Sequence, residues 1–78
     1  MKNIILYGTK ECPWCERINH LLEDLNIKKI KFLDVQKDFK ARTEMITKSN
    51  QYSTPVLDIA GKVIIGFDKN AIEHAIKN

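Results

Sequence analysis

Cys12-Pro13-Trp14-Cys15 sets the only two cysteines of a 78-residue chain three positions apart, where an apolar run gives way to an amphipathic one. A disulfide between them closes so short a loop that chain entropy contributes only about 2 kcal/mol before strain is subtracted. The cysteines are therefore poor staples. A chain this close to the lower limit for independent folding has to be held by one core built from its own helices and strands. One domain over residues 1–78 is the expected organisation. With 44% apolar and 29% charged residues, the composition is that of an ordinary globular protein.

Hydrophobic periodicity divides the chain into seven segments. Asn3 to Tyr7 is a short apolar run ended by Gly8, which predicts a buried strand. Pro13 to Leu25 carries Trp14, Ile18, Leu21, Leu22 and Leu25 at helical spacing, with charged residues opposite and Asn26 as terminator. Lys29 to Asp34 reads as a second strand. Asp38 to Thr47 reads as a weaker helix with Phe39, Met45 and Ile46 buried. Pro55–Ile59 and Lys62–Ile65, joined by Ala60-Gly61, form a β-hairpin. Asp68 caps a last helix that buries Ala71, Ile72, Ala75 and Ile76, with Phe67 placed to staple against Ile72. The order β-α-β-α-β-β-α makes this an α/β fold. A right-handed crossover makes the first two strands parallel neighbours, and the terminal hairpin completes a four-stranded mixed sheet with helices on both faces.

Thirteen basic and ten acidic residues leave a net charge of +3, with lysines densest at Lys28, Lys29 and Lys31. These read as a solvated face. A nucleic-acid surface calls for basic residues clustered with stacking aromatics, a pattern absent from this sequence. A mildly basic surface suits anionic partners such as glutathione or an acidic reductase. Met1-Lys2-Asn3 leads into only Ile4-Ile5-Leu6-Tyr7 before Gly8, too short for a secretory signal core or a bilayer span. The expected compartment is the cytoplasm, where thiols are kept reduced and a close cysteine pair is catalytic or metal-binding rather than structural.

The chemistry follows from where the sulfurs fall. With Cys12 at the N-cap, Pro13 takes the first helical position, where its missing N–H is no loss. A sulfur at the N-cap faces free backbone N–H groups and the positive end of the helix dipole, so Cys12 is expected to ionise more readily than a free cysteine. Lys10 adds to this effect and Glu11 opposes it. At about 100° per residue, Cys15 lies beside the apolar stripe, in line with Leu22. One thiol is open and activated and the other is shielded, an arrangement that suits an attacking and a resolving cysteine. Trp14 is expected to pack on the helix and also to border the substrate groove, half exposed. Tyr7 reads as strand-end packing. For zinc, the chain offers only the two cysteines, His20 and His74. His20 lies about 140° round the helix from Cys15 and His74 is remote in sequence, so both read as surface histidines and no metal site is expected.

With a strand leading into Cys-Pro-Trp-Cys, Thr54-Pro55 before a hairpin, and Val63-Ile64-Ile65-Gly66-Phe67-Asp68, the chain resembles the glutaredoxins over essentially its whole length. It looks most like the short bacterial glutaredoxin-like proteins with a Gly-Phe-Asp segment. The resemblance implies a thioredoxin-like fold with sheet order 2-1-3-4, Cys12 as nucleophile and Cys15 as resolving thiol. It also implies a cis Thr54–Pro55 bond that turns Thr54 toward an extended thiol substrate, as in strand addition. Lys10, Pro13, Trp14, Thr54 and Pro55 are the implied substrate or glutathione contacts, together with Gly66, Phe67 and Asp68. Three features depart from the glutathione-using members, one of them Asn70 where their aspartate near the last helix would align. Thr9 stands where they commonly carry lysine, and Gly66-Phe67 replaces their paired glycines, as in relatives reduced by thioredoxin reductase.

The expected function is that of a cytoplasmic, monomeric thiol–disulfide oxidoreductase acting on protein disulfides or glutathione mixed disulfides. It needs no tightly bound cofactor, uses glutathione as co-substrate, and has no nucleic-acid or membrane partner. One alternative is an electron donor to a reductase such as ribonucleotide reductase, recharged by a flavin thioredoxin reductase. Another, of a different class, is an iron–sulfur or metal carrier using Cys12.

Overall fold

Seven elements alternate along residues 3–77, which the computed structural model describes: β1 (Ile4–Gly8), α1 (Pro13–Asp24), β2 (Lys31–Asp34), α2 (Phe39–Ser49), β3 (Val56–Ile59), β4 (Lys62–Ile65) and α3 (Lys69–Lys77). Met1, Lys2 and Asn78 lie outside the described residues, and the reading of the first two residues lies there with them. The four strands form one mixed sheet in the order β2-β1-β3-β4. β1 runs parallel to β2, with Leu6 opposite Phe32 and Gly8 opposite Asp34. It runs antiparallel to β3, with Tyr7 opposite Val56, and β3 pairs antiparallel with β4. Topology and order are those expected from the sequence and its resemblance.

Strand alternation splits the core in two. Ile4 and Leu6 of β1, Leu57 and Ile59 of β3 and Ile64 of β4 face α1 and α3, joined by Cys15, Ile18, Leu21, Leu22, Ile72 and Ala75. Tyr7 and Val56 face the other way, onto Val35 and onto Ala41 and Met45 of α2. The helices therefore cover both faces, two on one and one on the other.

The ends of the elements are set by local chemistry. At the C-terminus of α1, Asn26 takes a left-handed conformation (φ 64°), Ile27 N–H donates to Leu22 C=O at 2.8 Å and Asn26 N–H to Glu23 C=O at 2.9 Å. This is a Schellman closure, sealed by Leu22 and Ile27 in the same apolar cluster. Asp38 caps α2 through Lys40 and Ala41 N–H, and Asp68 caps α3 through Ala71 N–H at 3.1 Å. The hairpin turn has φ 50° at Ala60 and 93° at Gly61, the two positive values of a type I′ turn.

Several boundaries and the burial of Phe39 differ from the sequence reading: α1 ends at Asp24 and β3 begins at Val56, each one residue inside the expected bound. β1 is displaced by one residue to Ile4–Gly8, β2 begins at Lys31 rather than Lys29, and α2 continues to Ser49. Phe39, expected in the core, is 80% exposed. With Ala41 and Met45 turned to the sheet, Phe39 lies about 200° round the helix from Ala41 and faces solvent. Ile46 is half-buried and Met45 fully buried.

Candidate active site

The turn after β1 delivers Cys12 to the N-cap of α1 in extended conformation (φ −134°, ψ 97°), with Pro13 at the first helical position. Cys12 Sγ accepts the Cys15 N–H at 3.2 Å, and Cys12 C=O accepts from Cys15 and Glu16 N–H at 3.1 and 3.2 Å. The sulfur thus occupies the place of a capping oxygen, where N–H groups and the helix dipole stabilise negative charge. Cys12 and Cys15 are joined as a disulfide, with Cα atoms 5.2 Å apart. Their surroundings differ sharply. Cys15 is 3% exposed within the α1/α3 cluster, whereas Cys12 is half-buried and packs only at its margin.

Two groups of residues border the pair. Thr54 and Pro55 are joined by a cis peptide bond, and the Thr54 hydroxyl lies 3.9 Å from Cys12 Sγ. Gly66 N–H donates to Pro55 C=O at 2.9 Å, so the end of β4 is tied to the same segment. Phe67, the residue after Gly66, meets the Trp14 ring, with centroids 6.0 Å apart and planes inclined at 37°. Trp14 is 49% exposed, as expected of a residue that packs and also borders a groove, and Phe67 is 36% exposed. Arg17, one turn along α1, places its guanidinium 4.6 Å from the Trp14 ring centroid, a cation–π contact.

The structure brings Cys12, Cys15, Pro13, Trp14, Thr54, Pro55, Gly66 and Phe67 to one end of the sheet. The remaining two, Lys10 and Asp68, make no hydrogen bond to either sulfur. Lys10 is exposed, with no hydrogen-bonding or ionic partner among the described residues, and Asp68 spends its carboxylate on the cap of α3. Arg17 was legible only as a charged-face residue, although its position three after Trp14 puts the two side chains on one helix face.

A polar network on the α2 side of the sheet was also missed. Buried Tyr7 donates from its hydroxyl to Glu44 Oε1 at 3.1 Å, and Lys48 Nζ donates to the Tyr7 oxygen at 2.7 Å and to Asp58 Oδ2 at 2.8 Å. Burial raises the Tyr7 phenol above its ordinary range. The Asp58 carboxylate, followed by the Tyr7 hydroxyl, raises the Lys48 ammonium well above its own. Asp58 in the apolar run Val56–Ile59 was the available signal: a charge inside a strand needs a partner.

His20 and His74 are both exposed, on α1 and α3. Among the described residues, no group of three or more His, Cys, Asp or Glu is placed to hold a metal ion. No helix there is long and apolar enough to cross a membrane.

A sequence model of the glutaredoxin family matches residues 4–64, most of the chain and every element from β1 into β4. The chain belongs to the glutaredoxin family. An uncharacterized glutaredoxin-like 8.6 kDa protein in the rubredoxin operon of Clostridium pasteurianum is 40% identical over 76 residues, 95% of this chain and 97% of that protein. Among solved structures, the thioredoxin-like protein BC3987 superposes with a TM-score of 0.84 at 30% identity, over 94% of this chain and 99% of its own. The Archaeoglobus fulgidus glutaredoxin gives 0.86 at 22% identity, over 100% of this chain and 89% of its own. The second of these likenesses bears on the fold alone. Together with the strand order, they make the thioredoxin-like glutaredoxin fold the architecture of this chain, with a Cys-x-x-Cys pair at the start of its first helix.

Proposed function

We propose that this glutaredoxin-family chain is a thiol–disulfide oxidoreductase of the cytoplasm, with Cys12 as nucleophile and Cys15 as resolving thiol. The observation that carries the reading is the asymmetry of the two sulfurs within one helical turn. Cys12 sits at the open N-cap with its sulfur accepting the Cys15 N–H, while Cys15 itself is 3% exposed behind it. In the reduced protein the Cys12 thiolate attacks one sulfur of a substrate disulfide. A Cys12–substrate disulfide forms, and the other substrate sulfur leaves as a thiolate that takes up a proton. Cys15 then loses its proton and attacks Cys12 Sγ. The bound substrate sulfur leaves, and the intramolecular Cys12–Cys15 disulfide forms. Two electrons have passed from the dithiol to the substrate.

Thr54 supports this reading by lying beside the sulfur that reacts, in the bend that leads through the cis bond to Pro55 into β3, where its backbone can meet a substrate. Trp14 and Phe67 supply an apolar wall for the flanking residues of a protein substrate. Glutathione is one source of electrons for recharging the pair. The second reading, recharging by a flavin thioredoxin reductase and delivery to a reductase such as ribonucleotide reductase, is favoured by Phe67. That ring, which stands where the glutathione-using members commonly carry a second glycine, packs against Trp14.

The test uses Cys12→Ser and Cys15→Ser in two assays, each run with glutathione plus glutathione reductase and with thioredoxin reductase. Cys12→Ser should abolish reduction of both a protein disulfide and a glutathionylated peptide. Cys15→Ser should lose at least about 100-fold on the protein disulfide, because an effectively intramolecular step is removed, while retaining the peptide reaction. Activity in Cys12→Ser contradicts the assignment. The reductase that supports the wild-type protein decides between the two electron sources.

A further inference from the structure

Gly8 ends β1 directly beneath the cysteine pair, and its backbone gives no reason for a glycine. It lies in a regular strand, paired with Asp34, and it is not one of the residues with positive φ. What it provides is the absence of a side chain. Strand alternation turns position 8 to the same face as Ile4 and Leu6, toward α1. A Cβ built there would lie 2.6 Å from Cys15 Sγ, 3.1 Å from Phe32 Cε1 and 3.6 Å from Cys15 Cβ. Carbon and sulfur in ordinary contact need about 3.5–4.0 Å, so the sulfur occupies the space that any side chain at position 8 would take. Phe32 is a lesser obstacle, because it is 45% exposed and its ring can move outward.

The two redox forms respond differently to a methyl group at this place. In the disulfide, Cys15 Sγ is bonded to Cys12 Sγ, which is itself held at the N-cap, so the sulfur cannot turn away. In the dithiol, Cys15 is free about χ1, and a helix leaves it two of the three staggered positions. On the reading of Cys12 and Cys15 as a redox pair, we infer that Gly8 is the positioning residue for Cys15. Its bare Cα seats the resolving sulfur in the oxidised state, and so it favours the disulfide and strengthens the protein as a reductant. A side chain at position 8 makes the pair more oxidising without touching Cys12.

The experiment equilibrates the full chain and Gly8→Ala with a graded dithiothreitol buffer, then traps free thiols by alkylation and weighs the two forms. Gly8→Ala should shift the equilibrium toward the dithiol at least about tenfold, equivalent to about 30 mV toward a less negative potential. Thermal melting of each redox form separates this from a merely structural effect. The oxidised form of the variant should lose much more than the reduced form. Gly8→Ala combined with Phe32→Leu, which relieves the ring contact and leaves the sulfur contact, should show the same redox shift even if the single variant folds poorly. An equilibrium within twofold of wild type, or equal loss of melting temperature in both forms, overturns the role of Gly8. A wild-type chain with no dithiol–disulfide interconversion at all defeats instead the reading of the pair on which that role rests.

Discussion

Asp58 carries a carboxylate into the middle of β3, where the residue is only 8% exposed, and two groups answer it. Lys48 Nζ meets Oδ2 at 2.8 Å, Gly61 N–H donates to Oδ1 at 2.8 Å, and the Lys48 ammonium is shared with the Tyr7 hydroxyl. Removing the cation leaves a buried anion with one backbone donor. Lys48→Met, which keeps most of the aliphatic stem, should therefore lower stability by about 1–3 kcal/mol at neutral pH, read as a urea midpoint. The pH dependence has a definite sign. Both Lys48 and Tyr7 have folded-state pKa values above their unfolded ones. Their contribution is complete below the unfolded values near 10 and is lost as pH rises through the folded values. Wild-type stability attributable to this network should hold from neutral pH to about pH 10 and then fall. A stability that rises on going above pH 10 would contradict the network. None of this was legible from Tyr7 or Lys48 taken alone, because Lys48 meets Tyr7 across 41 positions of sequence. The asymmetry of Cys12 and Cys15, in contrast, lies within one turn and was read from spacing and a proline.

Elements were legible where capping chemistry and periodicity agree. Helix α1 begins at Pro13 and ends at the asparagine expected to stop it. The hairpin falls on the two runs separated by Ala60-Gly61, and α3 follows its aspartate cap. Helix α2 was placed correctly but turned wrongly at Phe39. Only a short stripe of that helix touches the sheet, and an aromatic at the first helical position is no evidence for burial. The early start assigned to β2 has a similar cause, since Lys29 and Ile30 alternate like a strand but lie before the pairing that begins at Lys31. Alanine at the first turn position of the hairpin is the weakest local choice, because its φ of 50° places Cβ against the following carbonyl. Ala60→Asn should relieve this. An increase of about 1 kcal/mol is expected, or roughly 4–8 °C in melting temperature for a domain of this size. An unchanged or lower melting temperature would show that the turn is not under this local constraint.

For the whole molecule, the strand order gathers the chemistry. β1 runs parallel to β2 and antiparallel to β3, so the end of β1, the start of α1 and the Thr54–Pro55 segment before β3 meet at one end of the sheet. Sequence reading reached Thr54 only through family resemblance, because no local pattern announces a partner 42 positions from Cys12. Gly8 and Arg17 lay beyond both routes. Their meaning comes from what packs against them. At the centre of the site, a single turn of α1 gives its two sulfurs different surroundings. Alkylation of the reduced protein with iodoacetamide across a pH series, with the modified residue located by mass spectrometry, tests it most directly. The prediction is that Cys12 is modified first and almost alone, with an apparent pKa well below that of a free thiol, while Cys15 reacts only once the chain is unfolded. Modification of Cys15 first, or of both at equal rates with ordinary thiol pKa values, would contradict the account.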